Sequence, residues 1–434
     1  MLNTAEHRRL IDYRRRKSNW KKWGPYLSDR SWGTVREDYS ADGSAWEFFP
    51  HDHARSKAYR WGEDGIAGIS DRFQYLCFAL ALWNGKDPIL KERLFGLTGS
   101  EGNHGEDVKE YYFYLDNTPT HSYMKVLYKY PQAAFPYAGL VAENRRRGRM
   151  DFEYELLDTG VFDQNRYFDV FVEYAKAAEE DILIQITTAN RGPEPAICHL
   201  LPTLWFRNTW SWGYGKGPMH DIAARPQLKQ IETAAGSLKV EARHAAAGTY
   251  YLSVADPQDL LFTENETNAD CFPNASAGQG FYKDAFHRHL IQAEHRAINP
   301  ARLGTKVAAV YKVALAAGEA AVVRLRLSHQ DVRPAFDDFE SILAQRRTEA
   351  DEFYAAVQNP QLSDEEKQVQ RRALAGMLWT KQFFYYNVEQ WLNGDPAMPP
   401  VPDTRFDGRN HQWEHINNFD IFSMPDKWEY PWYA

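Results

Sequence analysis

From about Asp151 to Ser328, apolar and polar residues alternate with a period of two, the pattern of strands that bury one face. Ile182, Ile184 and Ile186 share one face against Leu183, Gln185 and Thr187, and Leu238, Val240 and Ala242 oppose Lys239, Glu241 and Arg243. Ala317-Gly318-Glu319 reads as the turn of a hairpin joining residues 307–315 to 321–327. Upstream, residues 109–116 read as a further strand, with a turn at 118–123. Many short strands separated by turns predict stacked sheets. At Pro334 the period changes, and Phe336, Phe339, Leu343, Ala350 and Phe353 recur at helical spacing. A second helix is predicted to start at Ser363, where Glu366 completes a capping box and Asp364 and Glu365 suit the positive helix end. Val369, Ala373, Met377, Phe384 and Val388 give it an apolar stripe, and it is predicted to end near Asn393-Gly394, before Pro396. Two helices with exposed apolar stripes need more helices to cover them. Residues 4–22 predict a leading amphipathic helix with Leu10 and Ile11 inward.

Composition narrows the classes. At 434 residues and 50.3 kDa the chain predicts two or three domains with ample core. A net charge of −8 argues against a nucleic-acid partner, which requires a basic face. The basic runs Arg14-Arg15-Arg16-Lys17 and Arg145-Arg146-Arg147 read as solvated surface. Cys77, Cys198 and Cys271 are too far apart for a metal spacing or a disulfide framework, and read as small apolar residues. The N-terminus has no apolar signal core and no run is long enough to span a bilayer, so the expectation is a cytoplasmic protein without a membrane partner. In that setting the patterns Asn265-Glu-Thr267 and Asn274-Ala-Ser276 carry little weight as glycosylation sites. Aromatic residues make up 15% of the chain, with 14 Trp and 25 Tyr, which favours stacking on sugar faces, although large sandwich cores use such residues too.

Candidate chemistry concentrates at the two ends. Between Trp23 and about Arg72 lie Trp32, Arg36, Glu37, Asp38, Trp46, Arg60, Trp61, Glu63 and Asp64, too polar for a core and too aromatic for a linker. They read either as loops reaching over a carbohydrate pocket or as a satisfied polar network beneath loops. His51-Asp52-His53, taken as a strand, puts two histidines on one face but has no third ligand at a recognisable spacing, so no metal is expected. Gly99, Gly102 and Gly105 around His104 lack the Gly-Lys-Ser/Thr ending of a phosphate loop. Trp205, Phe206, Trp210 and Trp212 read as core of the sandwich ahead of groove lining. Residues 411–434, HQWEHINNFDIFSMPDKWEYPWYA, interleave Trp413, Trp428 and Trp432 with Glu414, Asp420, Asp426 and Glu429. Aromatic faces beside carboxylates suit a sugar site; the plainer reading is a hydrophobic loop capping a helical domain. No polar tail follows Tyr433-Ala434, so the chain is expected to end in mid-core.

DKWEYPWYA resembles the lead-in to the catalytic barrel of bacterial glucosidases of glycoside hydrolase family 63, relatives of processing mannosyl-oligosaccharide glucosidase. The likeness extends through LSDRSWGTVREDYS (27–40), FPHDHARSKAYRWGEDGIAGISDR (49–72), ALWNGKDPILKERLFGLTGSEGNHGEDVKE (81–110), HLLPTLWFRNTWSWG (199–213) and TENETN (263–268). The resemblance implies a mainly β fold: an N-terminal β-supersandwich over residues 1–330, a helical linker over 331–394, and the truncated start of an (α/α)6 barrel over 395–434. It also implies inverting hydrolysis of terminal α-glucosidic bonds, with the general acid immediately after Trp432-Tyr433-Ala434 and the base further on, so that no catalytic residue lies in this chain. Trp432 and Tyr433 are then pocket walls, and Trp32, Arg36, Glu37 and Asp38 lid residues. No cofactor is implied, and the partner is an oligosaccharide or small glucoside. Three readings follow: the front part of a glucosidase, inactive alone; one half of a split enzyme completed by a barrel-bearing second chain; or a non-catalytic carbohydrate-binding protein.

Overall fold

A computed structural model describes residues 4–30, 50–104, 107–214, 224–231, 237–272, 280–407 and 411–423. Two antiparallel sheets dominate. Sheet 1 runs β1 (Trp23–Gly24), β2 (Ile66–Asp71), β3 (Leu76–Trp83), β10 (Ala196–Phe206), β16 (Lys306–Leu315), β14 (Asp259–Thr263). Sheet 2 runs β15 (Leu303–Gly304), β11 (Gln227–Ile231), β12 (Ser237–His244), β13 (Gly248–Ala255), β17 (Ala320–Ser328), β9 (Asp181–Asn190), β8 (Tyr167–Ala178), β7 (Tyr123–Pro131), β6 (Tyr111–Asn117). Strands are numbered in chain order; β4 (Gly96–Leu97) pairs with β5 (Asp107–Val108), and β18 (Lys381–Asn387) with β19 (Asn417–Ser423).

Alternation places the core between the two sheets. Leu76, Phe78, Leu80 and Leu82 of β3 meet Val170, Val172 and Tyr174 of β8 and the predicted Ile182, Ile184 and Ile186 of β9 in one buried cluster. Phe78 lies edge-on to Tyr174 across the gap, and the Tyr174 hydroxyl donates to the Ala67 carbonyl at 2.6 Å. The opposite faces are covered as well. Ala81, Leu201, Leu261 and Ala308 on the outside of sheet 1 lie beneath Leu90 and Phe286. On the outside of sheet 2, Leu183 and Ala175 lie beneath Phe339, Leu343 and Ala350. Those three belong to the predicted helical stripe, which is α5 (Phe339–Val357) in the chain-order series α1 (Ala5–Arg14), α2 (His51–Ala54), α3 (Tyr137–Arg146), α4 (Ala285–Leu290), α5, α6 (Asp364–Trp379), α7 (Val388–Asn393). Among the described residues no helix is long and apolar enough to cross a membrane.

Four expectations change. Residues 316–319 do not close a hairpin: β16 belongs to sheet 1 and β17 to sheet 2, so the chain crosses between layers there. The neighbouring β9–β10 connection crosses at the same end, and Asn190, fully buried, ties the two together. Its amide donates to the carbonyls of Glu194 (2.7 Å), Leu315 (3.2 Å) and Ala316 (3.1 Å), and its backbone exchanges bonds with Gly318 and Glu319. Alternation sets which face of a strand is apolar but not which sheet holds it.

The second helix starts as predicted, with the Ser363–Glu366 capping box formed, but it stops at Trp379. Trp379 lies flat on Tyr114 (5.2 Å between ring centres) and donates to the Asp116 carbonyl at 2.9 Å. The following Phe383-Phe384-Tyr385-Tyr386 runs as β18 instead, as β-favouring aromatics do when a partner strand is at hand. Val369 and Met377 consequently stay 63% and 69% exposed. No α-helix follows Asn393 among the described residues, whose later elements are a 3-10 turn at Asp403–Asp407 and β19.

The leading helix is shorter than predicted and turns a different face inward: Ile11 is exposed and Glu6 is buried. Glu6 accepts from the backbone N–H (2.6 Å) and hydroxyl (2.8 Å) of Thr120, so a carboxylate, not an apolar stripe, docks α1 on the β6–β7 turn. Finally, His51-Asp52-His53 forms α2 and not a strand, with His51 stacked on Tyr137 and His53 edge-on to Phe272. The two histidines therefore do not share a face.

Candidate functional site

The side of sheet 1 facing away from the core carries a buried charge network at the end of β10. Gly65 admits it: a Cβ there would lie 2.4 Å from that of Ala79, so only glycine lets the backbone come down onto β3 and deliver Glu63 and Asp64. Asp64 accepts from the Arg93 guanidinium (3.1 Å) and the Tyr59 hydroxyl (3.0 Å). Glu63 accepts from the amide of Asn265 (2.8 Å), which also donates to the Phe206 carbonyl (2.9 Å). Lys306, the first residue of β16, donates to Glu92 (2.7 Å) and to the Lys283 carbonyl (3.0 Å). The Lys283 ammonium bonds the Lys57 carbonyl (2.9 Å) and stands 3.5 Å from the Tyr59 ring centre. Three carboxylates (Glu63, Asp64, Glu92) thus face three cations (Arg93, Lys283, Lys306), a balance that burial in low dielectric demands.

Between them lies a cavity of ≈ 20 Å³, room for about one water. Glu63 Oε2, Glu92 Oε2 and Asn265 Oδ1, on residues that line this cavity, have no hydrogen-bond partner among the described residues. Burial raises the Glu63 carboxyl above its ordinary range, although Lys283 and Asn265 hold it down. Burial likewise pushes the Lys283 ammonium down to about 8. For Glu92 burial acts upward, but Lys306 and Arg93 prevail and the carboxyl is held low. Each acid is tied to a cation or an amide, and the network fixes the loops that carry them.

Beside it lies an aromatic and guanidinium junction. Arg60 stands 3.6 Å over Trp212 and 4.3 Å over Trp61, and grips Asp395 through two bonds of 2.6 and 3.0 Å. Tyr214 also donates to Asp395 (2.7 Å), and Gln390 accepts from Arg60 (3.0 Å). Gly213, at φ +88°, lets the backbone approach residues 396–397, where a Cβ would lie 2.8 Å from that of Ala397, and the Ala397 N–H donates to the Trp212 carbonyl at 3.0 Å. Arg207, buried nearby, has no carboxylate partner among the described residues; burial pushes its guanidinium down, and it faces the rings of Phe383, Tyr385 and Trp212.

The predicted site residues fare unevenly. Arg60, Trp61, Glu63 and Asp64 gather here, and the polar-network reading of that stretch describes them. Trp32, Arg36, Glu37, Asp38 and Trp46, together with Asp426, Trp428, Glu429, Trp432 and Tyr433, lie outside the described residues. Trp205, Phe206 and Trp212 are buried as expected, and Trp210 is partly buried against the core while donating to Glu266 (2.8 Å). Asn265 is fully buried, which closes the sugar-acceptor reading of Asn265-Glu-Thr267. Lys283, Lys306, Arg93 and Asp395 were not singled out from the sequence. A lysine heading the apolar run 307–311, as Lys306 does, is a signal for a buried partner.

Of the described residues, Asp107, Glu153 and Glu155 form a group with carboxylate oxygens close enough for a metal, all within 4.8 Å of one another. The Lys109 ammonium occupies that centre, at 2.6, 2.6 and 2.8 Å from the three acids. A cation is already supplied by the chain. Cys77 and Cys198 are buried and Cys271 exposed, and none is in a disulfide.

No protein-family model matches the chain. It is 43% identical over 469 aligned positions to the "Uncharacterized protein YMR196W" of Saccharomyces cerevisiae, covering 100% of this chain and 43% of the relative. The chain therefore spans less than half the length of that relative. Solved structures with partial likeness are a "Polysaccharide Lyase BACCELL_00875" (12% identity, TM-score 0.26, 63% of this chain and 28% of the other) and a "putative kojibiose phosphorylase from human microbiome" (9%, 0.24, 87% and 38%). A third is the family GH92 α-mannosidase BT3965 of Bacteroides thetaiotaomicron, in complex with mannoimidazole (11%, 0.26, 87% and 38%). TM-scores this low do not establish a shared fold.

Proposed function

We propose that this chain is the N-terminal part of an inverting, α-glucosidase-type glycoside hydrolase of the family 63 kind, acting on terminal α-glucosidic bonds in carbohydrate metabolism. One observation carries the reading. The segments that resemble that family, scattered over residues 49–268, interlock at one end of sheet 1: Glu63 with Asn265, Asp64 with Arg93, Arg60 with Trp212, and Asn208 with the Asn265 carbonyl at 2.9 Å. Strings that were unusual as text become one rigid platform, and the Arg60–Asp395 grip ties that platform to the segment where the resemblance places the start of the barrel.

In this reading the platform supports the pocket and does no chemistry. The acid and base lie beyond residue 434, roughly 6.5–9.5 Å apart to admit a water. Trp432 and Tyr433 are pocket walls; Trp32, Arg36, Glu37 and Asp38 reach over it as a lid. The 434-residue chain alone is inactive. The test is hydrolysis of α-linked glucose disaccharides by the full-length protein, with NMR recording the first anomer released. The expected result is β-glucose first, no turnover by the 434-residue chain, and at least a tenfold loss in full-length Trp432→Ala, about 1.4 kcal/mol. Release of α-glucose first, or turnover by the short chain, overturns the reading. Saturable sugar binding without turnover by the full-length protein favours a carbohydrate-binding role instead.

A further inference from the structure

Away from the network, a cleft of ≈ 470 Å³ opens on the surface between α2, Pro88-Ile89, the first turn of α3 and the end of α4. That volume lies within the range of small-ligand pockets, which is about 300–1,000 Å³. Pro88, Pro136 and Tyr137 give it apolar lining, and at Gly139 a Cβ would meet nothing within 4 Å. Its rim is polar. The Asp52 carboxylate is largely exposed and ion-paired to Arg55, one turn further along α2. Across the cleft, the Gln292 amide faces the imidazole of His287, Nε2 to Nε2, at 3.3 Å. No side chain caps α3, whose N-cap is Pro136.

We propose that this cleft binds a neutral, hydroxyl-rich ligand of mono- to disaccharide size. The formal charges of its rim, Asp52 and Arg55, cancel, so neither an anion nor a cation is favoured. His287 does not alter that balance: burial, helped by Arg55, holds its imidazole down to about 4, neutral under ordinary conditions. What remains is a lining that mixes acceptors (Asp52, the Gln292 carbonyl) and donors (Arg55, the Gln292 amino group) with apolar Pro88, Pro136 and Tyr137. Vicinal hydroxyls on a ring with C–H faces match that arrangement. The cleft involves none of the residues of the charge network or of the Arg60 junction. It is a holding site on the sandwich itself.

The choice of α-glucosides as probes rests on the function proposed above; the site does not. The experiment is titration of the 434-residue chain with methyl α-glucoside and with maltose, followed by calorimetry and NMR. Expected is saturable binding with a Kd on the order of 1 mM. Asp52→Ala and Gln292→Ala, both at exposed positions, weaken it at least tenfold, and Gly139→Phe, which fills the cleft without backbone strain, abolishes it. Absence of saturation up to about 50 mM of either sugar overturns the proposal. So does unchanged affinity in Gly139→Phe, which puts the sugar elsewhere on the chain, or displacement of the sugar by inorganic phosphate, which marks an anion site. Binding here with no hydrolysis by the full-length protein leaves this proposal standing while the catalytic one fails.

Discussion

Replacing Lys109 by Met keeps the aliphatic stem and removes only the ammonium, and so isolates the charge at the centre of Asp107, Glu153 and Glu155. Three charge-assisted hydrogen bonds of 2.6–2.8 Å are lost at once, from a lysine that is itself fully buried. Breaking a buried ion pair costs about 3–5 kcal/mol. The three carboxylates, however, are 28–39% exposed and recover part of their hydration, so the loss should be about 2–4 kcal/mol. With an unfolding entropy of about 2.1 cal/mol/K per residue over a sandwich of roughly 300 residues, Tm falls by about 3–6 °C.

In the variant the acids repel one another, their folded pKa values rise above the unfolded ones, and protonation relieves the strain. The deficit is therefore larger at pH 8 than at pH 5. The vacated centre also becomes a divalent-cation site, since the three oxygen ligands already converge. For calcium with a Kd on the order of 1 mM, 10 mM metal restores about 1.4 kcal/mol, or about 2 °C. The assay is thermal unfolding by circular dichroism at both pH values, with calcium or chelator, for wild type and variant. A variant that melts within about 1 °C of wild type at pH 8, or a calcium response equal in the two proteins, refutes the argument.

Three further outcomes follow from the geometry. Asn265→Ala leaves the Phe206 carbonyl and Glu63 without their shared donor and should cost about 2–3 kcal/mol in denaturant unfolding. Burial pushes Lys176 down to about 7, while the unfolded chain holds that proton to about 10.4; the group thus makes stability rise with pH across that window, and Lys176→Met should flatten the rise seen in melts at pH 7 to 10. Gly304→Ala would set a Cβ 2.2 Å from the Thr263 carbonyl oxygen and should cost about 2–3 kcal/mol, whereas Gly139→Ala, with open space in α3, should be neutral or gain up to about 1 kcal/mol. Equal melting temperatures for those two glycine variants would show that the close approach at Gly304 does not matter.

How far the sequence could be read depended on the range of the interaction concerned. Ile182, Ile184 and Ile186 reveal a core face because alternation is local, and the Ser363–Glu366 cap is visible because its two partners are three residues apart. Helix α6 was overextended because Phe384 and Val388 continue its apolar spacing. What ends it is Trp379 settling on Tyr114, and β18 pairing with β19, neither of which a local window contains. The candidate site is mostly non-local: Glu63 meets Asn265, and Arg60 meets Asp395, across separations of 202 and 335 residues. Composition pointed to the stretch that holds Arg60 and Glu63, but nothing in the text could name their partners. The exposed stripe on α6 is the reverse case: Val369 and Met377 were read as needing cover, and among the described residues they have none.

The two crossings stitched by Asn190 bind this sandwich like the spine of a book. Both layers are sewn together where β9 passes to β10 and β16 to β17, so the pages cannot slide or part along that edge. The charge network and the Arg60 junction sit at the far end of β10, near Phe206. That edge is sewn too: the chain passes from β15 of sheet 2 to β16 of sheet 1 through Thr305 alone, whose carbonyl accepts from the Phe206 N–H at 3.0 Å. Pinned at both ends, the two layers carry whatever rests on that edge as one body.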